Sequence, residues 1–158
     1  MPDKPTPEDV ALWQRRLASQ ANNRAWTLAE LPRRSPQQDE EMLQAAHAAM
    51  YFWNIVGSPG NRAHAALLLA HVHALLKLPG AATRYLDLSW PHFTRDDCVP
   101  GELAFAHAVA ANVASAEGNA AAHARHFMEA QAVATRISDP ATRTMFEATL
   151  AVVPAPGC

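Results

Sequence analysis

Apolar residues recur along this chain at three-to-four spacing, interrupted at regular intervals by proline and glycine. Val10, Trp13, Leu17, Ala21 and Leu28 share one helical face. They predict a first helix from about Thr6 to Leu31. Thr6 is its capping hydroxyl, Pro7 occupies the first turn, and Glu8 and Asp9 sit near the positive end of the dipole. Pro32 ends it. Ser35 caps a second helix with Pro36 at its first position. Asp39, Glu40 and Glu41 follow, most simply as the favourable first turn. This helix runs to about Val56 and stops at Gly57-Ser58-Pro59-Gly60.

The same punctuation predicts five more helices. The third spans about Asn61 to Leu78 and breaks at Pro79-Gly80. The fourth is short, Ala81 to about Trp90, and Pro91 stops it. A loop from His92 to Val99 follows. The fifth begins near Pro100 and ends at Gly118-Asn119, and the sixth runs from Ala120 to about Ile137. Ser138-Asp139-Pro140 starts a seventh, which reaches about Val153. The expected fold is all-α, one domain over 1–158: a helical hairpin over 6–57, two further hairpins and a capping helix over 61–153, and a frayed tail over 154–158. Short connections imply antiparallel hairpins packed side by side.

Composition sharpens this picture. Alanine is the commonest residue and β-branched residues are few, so about 70–75% helix and no sheet is expected. Abundant Ala, with Arg outnumbering Lys, suggests a GC-rich bacterial genome. The 158 residues carry 13 Lys+Arg against 15 Asp+Glu, a formal net charge of -2. That balance argues against general nucleic-acid binding, which requires a basic surface. No apolar run reaches the roughly 18–20 residues of a membrane span. The longest, Ala63–Leu76, contains His64, His71 and His73. The polar, proline-bearing N-terminus does not read as a signal peptide. The two cysteines, Cys98 and Cys158, make no disulfide framework, and a cytoplasmic location is the default expectation.

Gly80 and Gly118 sit between the two helices of successive pairs, suggesting a repeat of 38 residues, within the range of helical-hairpin arrays. In the second pair, Glu117-Gly118-Asn119 occupies the turn. His123, Phe127 and Ala130 follow in the second helix, and Asp139-Pro140 stands where a next unit would begin. At these residues the chain resembles a tetratricopeptide repeat over about Arg62 to Pro154. It departs from the pattern at His123 and Tyr85, where a small residue belongs, and at Ala110, Ala111 and Ala114 in the fifth helix. The resemblance implies a concave groove formed by the first helix of each pair. Phe105, Asn112 and Ser115 would face it from the fifth helix, and Leu67, Ala74 and Lys77 from the third. Its function would then be a non-enzymatic module binding a protein or peptide.

Candidate chemistry rests on polar residues inside apolar runs. Asn54 interrupts Met50–Val56, Asn112 interrupts Ala108–Val113, and Arg24 falls in phase with the first apolar stripe. Buried polar groups require partners, so Arg24 should find a carboxylate. Asn54 is expected to be structural and Asn112 to line the groove. His47, Tyr51 and Asn54 form one stripe. With His71, that stripe could instead line a pocket for a small molecule, the rival class of function; a structural homodimer using an apolar outer face is the third. Trp13, Trp26, Trp53 and Trp90 read as packing residues. Trp26 alone is out of phase and is expected to be partly exposed or covered by a partner.

Eight histidines invite a test for metal chemistry. No His pair at i, i+4 with an adjacent Glu and no Glu-x-x-His is present. His71 and His73 point about 200° apart on a helix and cannot chelate together. His107, His123 and His126 leave a mixed site open across the fifth and sixth helices. Spacing alone fits no ligand set, so no metal and no cofactor is expected. Cys98 follows Asp96 and Asp97, which disfavour a thiolate. No nucleophile elbow, phosphate loop or dinucleotide fingerprint occurs, so no catalytic set is assigned.

Overall fold

The computed structural model describes residues 4–157; Met1 to Asp3 of the leader reading and Cys158 lie outside them. The described residues hold seven helices and no strand, 79% helical, somewhat above the expected range. They are α1 (Pro7–Ala29), α2 (Pro36–Val56), α3 (Pro59–Leu75), α4 (Pro79–Phe93), α5 (Pro100–Glu117), α6 (Ala120–Ala134) and α7 (Pro140–Ala151). Thr6, Ser35 and Ser58 each close a capping box with Asp9, Gln38 and Asn61, with proline in the turn that follows. Ser58-Pro59 therefore starts α3, two residues earlier than the break at Gly60 suggested.

Alpha helix α4 runs through Pro91 instead of stopping at it. Proline removes one backbone donor, whose acceptor would be the carbonyl of Asp87. Asp87 and Pro91 both face solvent, while Phe93, one half-turn on, is fully buried. Burial of that ring holds the last turn against the lost hydrogen bond.

Helices α3 and α5 form the centre. Helix α3 packs on α1, α2, α4 and α5; α5 packs on α3, α4, α6 and α7. Both are apolar all round, as central helices must be, and both are buried nearly continuously, over Ala63–Ala74 and Ala104–Ala114. Alanine dominates these faces, and its small side chain lets helix axes approach closely. Three clusters result: Leu28, Met42 and Leu68 join α1–α3, Leu67, Phe93 and Val109 join α3–α5, and Ala130, Val133 and Phe146 close α5–α7.

The turns of the two helix pairs line up at a different offset from the expected 38 residues. Lys77 (φ 60) and Gly118 (φ 74) are the left-handed residues of the two turns. Leu78 N–H donates to the His73 carbonyl and Asn119 N–H to that of Ala114, each at 2.9 Å. Gly80 instead lies in the first turn of α4. The matching offset is 41 residues, the separation of His71 and Asn112. The same residue types also recur at this spacing in Pro59 and Pro100, Gly60 and Gly101, Val72 and Val113, and Arg84 and Arg125. This period is longer than the roughly 34 residues of a tetratricopeptide unit.

Two further expectations change. The first apolar stripe is only half used: Ala25, Leu28 and Ala29 are buried, but Val10, Trp13 and Leu17 are exposed. Helix α1 packs chiefly on α2 and less on α3, and its buried residues all lie from Ala18 onward. The tail is pinned at its start, with Val153 buried and the Pro154 carbonyl held by His123 Nε2 at 2.7 Å.

Candidate functional site

The first turn of α5, the α6–α7 connection and α7 enclose an open cleft of about 430 Å³. Its walls are Val99, Pro100, Phe105, Ile137 and Met145, and His64, Glu102, Arg136 and Asp139 stand around its edge. Gly101 makes the close approach of α7 feasible. A Cβ there would come within 2.8 Å of Thr142 Cγ2, so any larger residue requires the Thr142 side chain or the start of α7 to shift. Of the groove candidates, Phe105 is the one that lines this cleft. His64, its equivalent in the 41-residue register, lies beside it.

Behind the cleft an aromatic chain leads inward. Phe105 packs edge-on to Phe146 and to Trp26, with ring centroids 5.9 and 6.2 Å apart, and Trp26 stacks on His71 at 5.6 Å. Trp26 is partly exposed, as expected, and its packed side meets α3 and α5, while Trp13 is 51% exposed. The difference arises because α1 docks on α3 through its second half.

His71 is fully buried, and Asn112 is 1% exposed. The Asn112 amide nitrogen lies 3.1 Å from His71 Nδ1 and 3.5 Å from the His71 carbonyl. Asn112 therefore donates, Nδ1 accepts, and the ring proton sits on Nε2, which has no partner. Burial, with the Arg34 charge adding to it, holds the His71 pKa at about 3. This corrects two assignments: Asn112 is buried at the α3–α5 contact and does not face an exposed groove, and His71 is buried with it, packed between Asn112 and Trp26. Leu67 and Ala74 are buried as well, and Lys77 is an exposed turn residue. Ser115 is half-buried near the end of α5.

The α2 stripe is corrected in the opposite direction. Tyr51 and Asn54 are exposed, so Asn54 is not a buried structural residue. Helix α2 is a peripheral helix, and the large residues around Asn54 in sequence do not place it in the core. His47 packs edge-on to His73 and Tyr85, and His73 donates from Nδ1 to the Leu69 carbonyl at 2.8 Å. His47, Tyr51, Asn54 and His71 do not converge on one pocket. Substituting Asn112 with Ala should cost about 1–3 kcal/mol through the loss of His71's partner. Asn54→Ala should stay within about 0.5 kcal/mol, as exposed changes usually do. Urea denaturation of both variants checks this; equal losses would contradict the placement.

Arg24 finds the expected carboxylate, a two-point pair with Glu41 at 2.6 and 3.0 Å, but both side chains are exposed. The mixed histidine site does not assemble. His107 and His126 face each other, Nδ1 to Nδ1 at 3.0 Å, with the Trp90 ring edge-on to both, while His123 turns to Pro154. One ring of that pair must donate and the other accept. Burial, the leading cause at each, lowers both pKa values.

A different cluster does assemble. His64 Nε2 lies 3.0 Å from Glu102 Oε1, and ligand atoms of His64, His92 and Glu102 all fall within 4.8 Å of one another. Both imidazoles rest edge-on against buried Phe93, with centroids at 4.9 and 5.0 Å. Burial, Arg95 and His64, in that order, lower the His92 pKa. Cys98 lies alongside, its Sγ 3.9 Å from Glu102 Oε2, and burial foremost, then Glu102, raises its pKa. Sequence spacing missed this group because its members come from α3, α4 and α5. His92 reaches it only because α4 continues past Pro91.

Among the described residues no helix is long and apolar enough to cross a membrane. No known family model matches the chain, and no curated protein or solved structure matches it either.

Proposed function

We propose that the chain is a non-enzymatic binding module that takes an apolar-bearing segment of a partner protein or peptide in the α5–α7 cleft. The observation that carries this reading is the cleft's composition. Val99 and Met145 are 56% and 59% exposed there, beside Phe105 and Ile137, with both signs of charge around the edge. Its volume lies within the roughly 300–1,000 Å³ of ligand sites, enough for one or two large apolar side chains. Charged residues around an apolar centre are the arrangement by which protein interfaces combine affinity with orientation.

Peptide display against the full chain tests this. The expected result is an enriched motif with one or two large apolar residues, whose binding falls at least about tenfold in Met145→Asp, a loss of about 1.4 kcal/mol or more. Met145 is exposed, so the substitution should leave the fold intact. Failure to enrich any motif, or equal binding by the variant, would refute the reading. The exposed stripe of Val10, Trp13 and Leu17 favours a second reading, a homodimer built on the outer face of α1.

A further inference from the structure

We propose that His64, His92 and Glu102 form a zinc site at the junction of α3, α4 and α5. This inference does not depend on what the cleft accepts. Two imidazoles and one carboxylate are a ligand set that zinc uses when a fourth position stays open. Each residue is held by a helix: His64 on α3, His92 in the last turn of α4, Glu102 in the first turn of α5. Helix-borne ligands are positioned more accurately than loop-borne ones.

The distances suit the ion. With metal–ligand bonds of about 2.0–2.2 Å, the ligand atoms of a tetrahedral site lie about 3.3–3.6 Å apart. Here the His64 and Glu102 atoms are 3.0 Å apart, and no pair of the three exceeds 4.8 Å. Side-chain rotation of about 1 Å closes the remaining gap, and His64, with 48% of its side chain exposed, is free to make it. The Phe93 ring holds the two imidazoles from below, edge-on at 4.9 and 5.0 Å. The ion takes the place of the proton that His64 Nε2 now shares with Glu102, so that Nε2 turns its lone pair to the metal and the ring proton sits on Nδ1. His64 and Glu102 also line the apolar cleft, so an ion there would stand at its edge.

Cys98 stands 3.9 Å from Glu102 but outside the three-way group, and it is not assigned as a ligand. The experiment therefore uses metal-stripped full-length protein carrying Cys98→Ser and Cys158→Ser, titrated with Zn²⁺ against a chromogenic chelator. The expected result is one zinc per chain. His92→Ala, Glu102→Gln and His64→Phe should each weaken binding at least about tenfold. His64→Phe keeps an aromatic ring, as its repeat equivalent Phe105 does, so its fold should survive, with circular dichroism confirming helix content. Substituting Co²⁺ should give the strong visible bands of a low-coordinate nitrogen–oxygen site, lost in the same variants. Binding below one zinc per chain would overturn the proposal. So would unchanged affinity in all three variants, or loss of binding in His126→Ala with the His64 and His92 variants intact.

Discussion

Acidification should destabilise this protein steeply at pH values where most carboxylates are still charged. In the fold, burial first and Arg34 second lower the His71 pKa from 6.5 to about 3. The unfolded chain takes up a proton as pH falls through 6.5, whereas the folded chain refuses it until about 3. The stabilisation present above the unfolded value is therefore lost progressively as pH falls across that window. Each pKa unit corresponds to about 1.4 kcal/mol, so the full window amounts to at most about 5 kcal/mol. That is comparable with the whole stability of many domains, about 5–15 kcal/mol. His47, His107 and His126 are shifted in the same direction, each chiefly by burial, and steepen the loss. Urea denaturation at a series of pH values should show stability falling below pH 6.5. In His71→Leu the fold should be weaker at neutral pH, because Asn112 loses its acceptor, but its pH dependence should be visibly shallower. Identical slopes in the two proteins would show that His71 does not bear the proton linkage.

The second large effect is expected at Phe93. Its ring is fully buried, joins α3, α4 and α5, and supports two imidazoles. Phe93→Ala should cost about 3–5 kcal/mol, the transfer term plus the cavity left behind. Leu88 is on the same helix, also apolar, and 61% exposed. Leu88→Ala should change stability by no more than about 0.5 kcal/mol. Denaturation midpoints of the two variants measure the contrast, and the ring resonances of His64 and His92 should move in Phe93→Ala only. Comparable losses in both would mean that α4 does not continue past Pro91 to bury that ring.

Helix starts were legible because capping is local chemistry. Thr6, Ser35 and Asp139 accept from the backbone three residues on, and proline follows each of them. Pro91 was misleading because its effect depends on what lies beyond it. A proline stops a helix when the next turn has nothing to bury; here Phe93 does. The two asparagines were exchanged for a related reason. Large neighbours surround Asn54 and small ones surround Asn112, and large residues suggest a core. In an alanine-rich bundle the opposite holds, because central helices must be thin on every side. Alanine all around α5, with no polar face, was the available signal for the burial of Asn112.

The candidate site was less legible than the fold. Phe105 was found through the groove expectation; the other cleft residues come from α3, the start of α5, the α6–α7 connection and α7, and no single periodic pattern links them. His64, His92 and Glu102 have no informative spacing, and the 38-residue register placed Leu67, not His64, opposite Phe105. Left-handed Lys77, invisible without the backbone, sets the register at 41.

The sequence by itself determined the all-α class, seven helices among the described residues, and most of their ends, since propensity and capping act within a few residues. Tertiary structure decided which helices are central, which polar residues are buried, and which histidines meet. Those outcomes depend on contacts between residues tens of positions apart: the 41 separating His71 from Asn112, or the 38 separating His64 from Glu102. Local patterns hold no information about them until the alanine faces of α3 and α5 have closed on each other.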